Sequence, residues 1–146
     1  MEIERKFLIK KKPDNLSDFP SVLIEQGYLC TTPVVRVRRQ DDRFILTYKG
    51  EGLLSHEEFN LPLTEESYAH LIQKADGRII TKTRYLIPYG KYTIELDLFA
   101  GDLAPLELAE VEFPSEKEAH AFQAPDWFDK DVTMDSRYHN STMSKA

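Results

Sequence analysis

The chain of 146 residues is 41% hydrophobic, enough for one domain with a buried core. Its net charge of −6 at pH 7, without a long run of like charge, argues against a general nucleic-acid-binding surface. One cysteine, Cys30, excludes an intramolecular disulfide, and no apolar segment approaches the length of a signal or membrane-spanning sequence. We therefore expect a cytoplasmic protein with no nucleic-acid or membrane partner.

The first part of the chain alternates in the manner of β-strands. Over residues 2–9, Glu2, Glu4 and Lys6 share one face, and apolar side chains occupy the other. Residues 16–26 have roughly helical apolar spacing interrupted by Pro20, which predicts an irregular segment with a short helix. Turn residues and alternation predict the next strands at residues 27–31, 34–40, 43–49 and 54–61.

The second part of the chain predicts two helices among further strands. Thr64 is a suitable N-cap for a helix to Ala75, and a shorter helix follows a capping box that starts at Ser115. The tail from about residue 141 is rich in Ser, Thr and Lys, and we expect it to be poorly ordered. Strands are predicted at residues 79–87, 91–99 and 106–113.

Charged side chains recur on one face of nearly every predicted strand, and acids and bases almost balance. Such a face could be the wet surface of an open sheet, or the inside of a closed barrel. Unpaired buried charge costs several kcal/mol, so a charged barrel interior must be hydrated and must bind something. The residues concerned are Glu2, Glu4, Lys6, Arg36, Arg38, Lys49, Glu58, Lys82, Arg84, Glu95, Asp97, Glu110 and Glu112.

The mixture of side chains indicates the ligand. Arginine forks and lysine ammonium groups suit phosphate oxygens, whereas clustered carboxylates suit a hard cation such as Mg²⁺ or Mn²⁺. Together they predict a metal-bridged oligophosphate. The histidines show no ligand spacing and are expected at the surface: His56, His70, His120 and His139.

Glu2-Ile3-Glu4-Arg5-Lys6 resembles the ExExK signature of the CYTH superfamily, the triphosphate tunnel metalloenzymes. The likeness extends over nearly the whole chain. It implies an α+β, mainly β fold, in which an eight-stranded antiparallel barrel forms a tunnel with helices packed outside, as a single domain over residues 1–146 of a bacterial protein. The later motifs that carry it are Arg36-Val37-Arg38, Lys49, Lys82-Thr83-Arg84, Glu95-Leu96-Asp97, Glu110-Val111-Glu112 and Arg137-Tyr138.

The resemblance also implies roles for individual residues. Glu58 and Asp97 are expected to orient basic residues or water. We further hypothesise that Lys82, crowded by the like charge of Arg84, has a lowered pKa and helps to activate the attacking water. His56 and Asn60 depart from the Arg and Glu that small bacterial members often carry, which places the fit of the substrate at that end in question. The implied metal ligands are Glu2, Glu4, Glu110 and Glu112, and the implied phosphate-binding residues are Lys6, Arg36, Arg38, Lys49, Lys82 and Arg84.

The activity implied by this resemblance is metal-dependent hydrolysis of a triphosphate, foremost of inorganic tripolyphosphate to pyrophosphate and phosphate. Thiamine triphosphatase and class IV-type adenylate cyclase are the alternative enzymes; a non-catalytic module that binds polyphosphate or nucleotide would carry the same cationic lining. The expected partner is a small molecule that contains a triphosphate. The sequence leaves the oligomeric state open, a homodimer included.

Overall fold

The computed structural model describes residues 2–52 and 54–145, which form an antiparallel sheet of ten strands and three α-helices. The helices are α1 (Glu65–Ile72), α2 (Glu116–Ala121) and α3 (Asn140–Met143). Within the described residues, no helix has the length and apolar composition that crossing a lipid bilayer requires. The strands are β1 (Glu2–Ile9), β2 (Ser21–Thr31), β3 (Val34–Gln40), β4 (Arg43–Lys49), β5 (Ser55–His56), β6 (Glu58–Pro62), β7 (Asp76–Tyr89), β8 (Tyr92–Phe99), β9 (Glu107–Glu112) and β10 (Phe128–Asp131).

The order of hydrogen-bonded neighbours in the sheet is β10-β1-β9-β8-β7-β2-β3-β4-β6. This path does not close on itself. However, β5 pairs with the start of β1, where Glu2 lies opposite His56, while β6 pairs with β4. Because only Glu57 separates β5 from β6, residues 55–62 reach from β4 to β1 and complete the wall around a central bore.

All eight predicted strands are present, and the count rises to ten for two reasons. The strand predicted at residues 54–61 is split at Glu57 into β5 and β6, and β10 was not predicted. The prediction of an irregular segment with a short helix at residues 16–26 was wrong, because β2 begins at Ser21 and pairs with both β3 and β7. Ladder hydrogen bonds on two sides outweigh a weak helical spacing, and only Leu16–Asp18 forms a 3₁₀ turn.

The main apolar core lies on the outer face of the sheet. Phe7, Leu96 and Val111 alternate with charged neighbours along β1, β8 and β9, and they are covered by α2 and by Phe122. The predicted cap of α1 is confirmed, since the side chain of Thr64 accepts the backbone N–H of Ser67. Helix α1 ends at Ile72, short of the predicted Ala75, and packs Tyr68 against Phe44 on the outside of the sheet. The charged face is thereby left for the bore.

One end of the bore is filled by a second apolar cluster. Tyr28, Ile80 and Phe99 belong to the inner face of the sheet, and Met143 of α3 packs among them. Residues 141–145 therefore differ from the expectation of poor order, because Met143 and the following Ser144 are buried. The bore is consequently a cup that is closed at this end by the carboxy-terminal segment.

Candidate active site

Strand register brings the charged side chains together inside the cup. Directly opposed residues of paired strands point to the same face, with β-carbons about 4.5–5.5 Å apart. Such pairs include Glu4 with Glu112, Lys6 with Glu110, and Arg84 with Asp97. A cavity of about 280 Å³ results, lined by Glu2, Glu4, Arg36, Arg38, Gln40, Arg43, Ile45, Thr47, Lys49, Glu58, Asn60, Arg84, Glu95, Glu110, Glu112 and Asn140.

A smaller cavity of about 120 Å³ adjoins the first one toward the closed end of the cup. The two cavities share Glu4, Arg36, Lys49 and Asn140 in their linings. The smaller one is also lined by Lys6 and by residues of the carboxy-terminal segment. Both acidic and basic groups thus face one continuous space.

Four carboxylates lie along the neighbouring strands β1 and β9. Burial, together with the negative charges of Glu110 and Glu2, raises the pKa of Glu4 to about 8. Burial and the charges of Glu2 and Glu58 also raise the pKa of Glu112. In Glu2 and Glu110, by contrast, the effect of burial is outweighed and the pKa is lowered, by His56 and Lys49 for Glu2 and by Lys6 and Arg84 for Glu110. Carboxylate oxygens are the donors that hard divalent cations prefer, so the chemistry of Glu2, Glu4, Glu110 and Glu112 suits such a cation, although Glu2 is paired with Lys49 and Glu110 with Lys6.

His56 is buried beside Glu2, so the prediction that it lies at the surface was wrong. Only 9% of His56 is exposed, and its Nε2 is hydrogen-bonded to Oε1 of Glu2. The same Oε1 lies 3.1 Å from Nζ of Lys49, which is 3.5 Å from Oε2 of Glu58. Ligand atoms of Glu2, His56 and Glu58 lie within 4.8 Å of one another, so these three residues bring potential metal donors together.

At the bottom of the cup, Lys82 forms a buried ion pair with Asp97. Both residues are 0% exposed, and Nζ of Lys82 lies 2.7 Å from Oδ2 of Asp97. Burial and the neighbouring charges of Arg84 and Arg38 lower the pKa of Lys82 to about 7, although Asp97 opposes the shift. Like charges were the predicted cause, but desolvation is the larger one. The pKa of Lys82 thus lies near neutrality, but its buried side chain is not part of the lining of either cavity.

Arg84 is held by carboxylates on all sides. Its Nε donates to Oδ1 of Asp97 at 2.7 Å and its Nη2 donates to Oδ2 at 2.9 Å. Nη1 donates to Oε2 of Glu95 at 3.3 Å, and Glu110 lies 3.7 Å away. Burial would lower the pKa of Arg84, but the charge of Asp97 outweighs it and raises the pKa well above its usual value. Most of the positive charge of Arg84 is thus compensated within the protein.

Arg36 and Arg38 have uncharged partners instead. Nη2 of Arg36 donates to the hydroxyl of Thr47 at 3.2 Å, and Nε of Arg38 donates to Oε1 of Gln26 at 2.8 Å. Thr47 in turn donates to Oδ1 of Asn60 at 2.6 Å. These two guanidinium groups line the larger cavity and have no carboxylate partner within the described residues.

The carboxy-terminal segment supplies polar contacts to two of the predicted lysines. Nζ of Lys6 donates to the backbone carbonyl of Tyr138 at 3.0 Å, and Nζ of Lys82 donates to Oδ1 of Asn140 at 3.3 Å. Lys6 also lies 3.4 Å from Oε1 of Glu110. The closed end of the cup therefore holds both ammonium groups in place.

The thirteen charged residues singled out from the sequence lie on the bore face of their strands, but several uncharged residues of the site were missed. Gln26 stood in the segment that was not predicted as a strand, and Asn140 adjoined the tail. For the others the available signal was strand phase, that of β4 for Thr47 and that of β5 and β6 for His56 and Asn60. The missed residues that contact predicted ones are Gln26, Thr47, His56, Asn60 and Asn140.

Comparisons with known proteins agree with this arrangement. The sequence model described as the CYTH domain matches residues 1–146. An inorganic triphosphatase of Nitrosomonas europaea is 43% identical over 149 residues, covering 98% of this chain and 96% of that protein. An inorganic triphosphatase of Acetivibrio thermocellus is 36% identical over 151 residues, covering 99% of this chain and 93% of that protein.

Solved structures show the same fold. The crystal structure of the inorganic triphosphatase NE1496 is 38% identical and matches with a TM-score of 0.74 over 100% of this chain and 95% of that chain. The tunnel architecture expected from the sequence is thus matched over the full chain. The protein belongs to the CYTH family.

Proposed function

We propose that the protein is a divalent-metal-dependent triphosphatase that hydrolyses inorganic tripolyphosphate to pyrophosphate and phosphate. The observation that carries the proposal is the lining of the larger cavity, where carboxylates from β1 and β9 face guanidinium and ammonium groups from β3, β4 and β7. A polyphosphate chain needs such cations, and a divalent ion that bridges its oxygens needs such carboxylates.

We assign the metal to Glu2, Glu4, Glu110 and Glu112, with Mg²⁺ or Mn²⁺ as the ions that suit four carboxylates. A cation bound there would neutralise negative charge on the phosphate oxygens that it contacts. The raised pKa of Glu4 supports this assignment, because a bound cation would offset the repulsion between Glu4 and the carboxylates of Glu110 and Glu2.

The basic residues position the phosphate chain and stabilise the charge that develops on it. Arg36 and Arg38 present guanidinium forks to the larger cavity, and Lys6, Lys49 and Arg84 complete the positive lining. Positioning and charge stabilisation account for most of the catalysis in phosphoryl transfer, since the transferred group passes through a loose transition state. A terminal phosphoryl group held in this way is open to in-line attack by water.

Lys82 is assigned to the activation of that water. Its pKa of about 7 leaves a large neutral fraction at neutral pH, and a neutral amine can accept the proton of the attacking water. Asp97 positions Lys82 through the 2.7 Å ion pair, and Glu58 positions Lys49 at 3.5 Å. These contacts support the orienting roles that the resemblance implies for Asp97 and Glu58.

The polarity of the cavity favours an inorganic substrate. Among the described residues that line the larger cavity, Ile45 is the only apolar one and none is aromatic, whereas the smaller cavity also has Tyr28 and Val34 in its lining. An adenine or thiazolium ring would gain little by entering such a space, because rings are usually recognised by apolar and aromatic surfaces. Two relatives that cover nearly the whole chain are named inorganic triphosphatases, which supports the same substrate.

Phosphate release from three substrates tests the proposal. We expect tripolyphosphate to be hydrolysed faster than thiamine triphosphate or ATP, and only with Mg²⁺ or Mn²⁺ present. Preferred release from thiamine triphosphate, or conversion of ATP to cyclic AMP, would establish one of the alternative enzymes. Tight binding of tripolyphosphate without metal-dependent phosphate release would show a binding module.

Two variants test the assigned residues. Lys82→Ala and Glu4→Ala should each abolish phosphate release while circular dichroism shows an unchanged fold. Lys91→Ala is a matched control, because the Lys91 side chain is 69% exposed and pairs with Glu118 outside the bore. Unimpaired turnover in either test variant would refute its assigned role.

A further inference from the structure

The arginines of the bore differ in the charge of their partners. Arg84 is bound by the carboxylates of Asp97 and Glu95, so its charge is compensated before any ligand arrives. The side chain of Arg38 makes its one hydrogen bond within the described residues from Nε to the neutral amide of Gln26. The two guanidinium groups therefore differ in how much positive charge they offer to an anion.

Gln26 is placed to hold Arg38 in one orientation. It lies on β2 directly opposite Arg38 on β3, so both side chains point to the same face. Gln26 is 0% exposed, and its Oε1 accepts the Nε–H of Arg38 at 2.8 Å. This contact engages Nε–H of the guanidinium and leaves its two terminal nitrogens without a hydrogen bond to the described residues, in a side chain that lines the larger cavity.

The amide nitrogen of Gln26 adds a second observation. Nε2 is buried and has no hydrogen-bond partner within the described residues, and the same holds for Nε of Arg36. A buried donor without a partner costs about 1–3 kcal/mol. An apolar residue at this position would pack without that cost. The presence of a glutamine therefore indicates that its acceptor oxygen is needed.

We propose that Gln26 is a positioning residue that sets substrate affinity, because it orients Arg38 for bidentate contact with a phosphate while leaving the charge of Arg38 uncompensated. The proposal rests on the function proposed above and names the feature of the bore that determines how tightly the phosphate chain is held. Thr47 has the same relation to Arg36, whose Nη2 it accepts at 3.2 Å. Neutral acceptors thus leave Arg36 and Arg38 with more positive charge to offer a phosphate than Arg84, whose charge the carboxylates of Asp97 and Glu95 already compensate.

A neutral acceptor matters because Arg38 lies among other cations. Burial and the charges of Arg36 and Arg84 lower the pKa of Arg38 to about 9, so its surroundings disfavour the charged guanidinium. A carboxylate at residue 26 would stabilise the charged guanidinium of Arg38, and it would also pair with the N–H groups that should bind the phosphate. The neutral amide of Gln26 neither compensates the charge of Arg38 nor competes with the phosphate for it.

The test is the kinetics and thermal stability of Gln26→Glu with tripolyphosphate and Mn²⁺. We expect KM to rise at least tenfold while kcat changes less than threefold, and we expect Tm to be equal to or above that of the parent, because the new carboxylate pairs with Arg38. Gln73→Glu makes the same charge change at an exposed position beside α1 and should leave KM unchanged. A Gln26→Glu protein with the parent KM would overturn the proposal.

A second variant separates orientation from direct repulsion of the substrate. Gln26→Met keeps the size of the side chain but removes the acceptor without adding charge, so KM should rise severalfold at unchanged kcat. Parent KM in Gln26→Met would overturn the positioning role, and this result decides the matter if Gln26→Glu does not fold. Should the parent protein release no phosphate from tripolyphosphate, the proposed function fails instead, independently of either variant.

Discussion

Replacing Asp97 by Asn should destabilise the protein strongly, because one buried carboxylate compensates two buried cations. Asp97 lies 2.7 Å from Nζ of Lys82 and accepts two hydrogen bonds from Arg84, at 2.7 and 2.9 Å. Breaking a buried ion pair by removing one partner costs about 3–5 kcal/mol. Arg84 retains Glu95 and Glu110 as partners, which places the expected loss near the lower end, about 3 kcal/mol.

Urea unfolding of the variant and the parent measures this loss. For a chain of this size, about 3 kcal/mol corresponds to a fall in Tm of roughly 6–12 °C. The matched control is Asp14→Asn, which breaks the Lys11–Asp14 pair, whose side chains are 76% and 90% exposed. Exposed pairs contribute little, so the control should stay within about 0.5 kcal/mol of the parent. A loss below about 1 kcal/mol in Asp97→Asn would refute the buried ion pair.

Three further outcomes follow from the charges of the site. The value of kcat/KM should rise with pH through about 7, where Lys82 loses its proton. In Asp97→Asn this rise should occur at lower pH, because Asp97 favours the charged form of the lysine. A pH-rate profile without a rise near neutrality would contradict the role of Lys82. Binding of Mn²⁺ at pH 7 should release close to one proton, because the pKa of Glu4 is about 8 in the metal-free protein, and Glu4→Gln should abolish the release. Titration calorimetry in buffers of different ionisation enthalpy measures this release, and identical heats would oppose it. A rigid fusion joined to residue 1 should lower phosphate release, since it would be attached next to Glu2; full activity would count against Glu2 as a ligand.

The charged face of the sheet was predictable because strand alternation is a local property. Glu2, Glu4 and Lys6 can only share a face if residues 2–9 are extended, and the same holds for Arg36 with Arg38. The closed bore was implied by the resemblance to the CYTH superfamily, and the cost of burying charge added that such a bore is hydrated and binds a ligand. Periodicity therefore sufficed to predict which face of each strand these charged residues occupy.

The uncharged partners could not be predicted, because they depend on contacts between strands distant in sequence. Gln26 meets Arg38 only through the register of β2 and β3, and β2 itself was missed where helical spacing and Pro20 outweighed its weak alternation. His56 was assigned to the surface because it has no ligand spacing, yet β5 places it opposite Glu2. Tertiary pairing decides both cases, and no local pattern reports it.

The most direct test of the account is a crystal structure of the Lys82→Ala variant with tripolyphosphate and Mn²⁺, using anomalous scattering to locate the metal. We expect a manganese peak among Glu2, Glu4, Glu110 and Glu112, with the phosphate chain inside the cup against Arg36 and Arg38. Tripolyphosphate bound on the outer surface, or a bore without manganese at a concentration that supports turnover of the parent, would contradict the account.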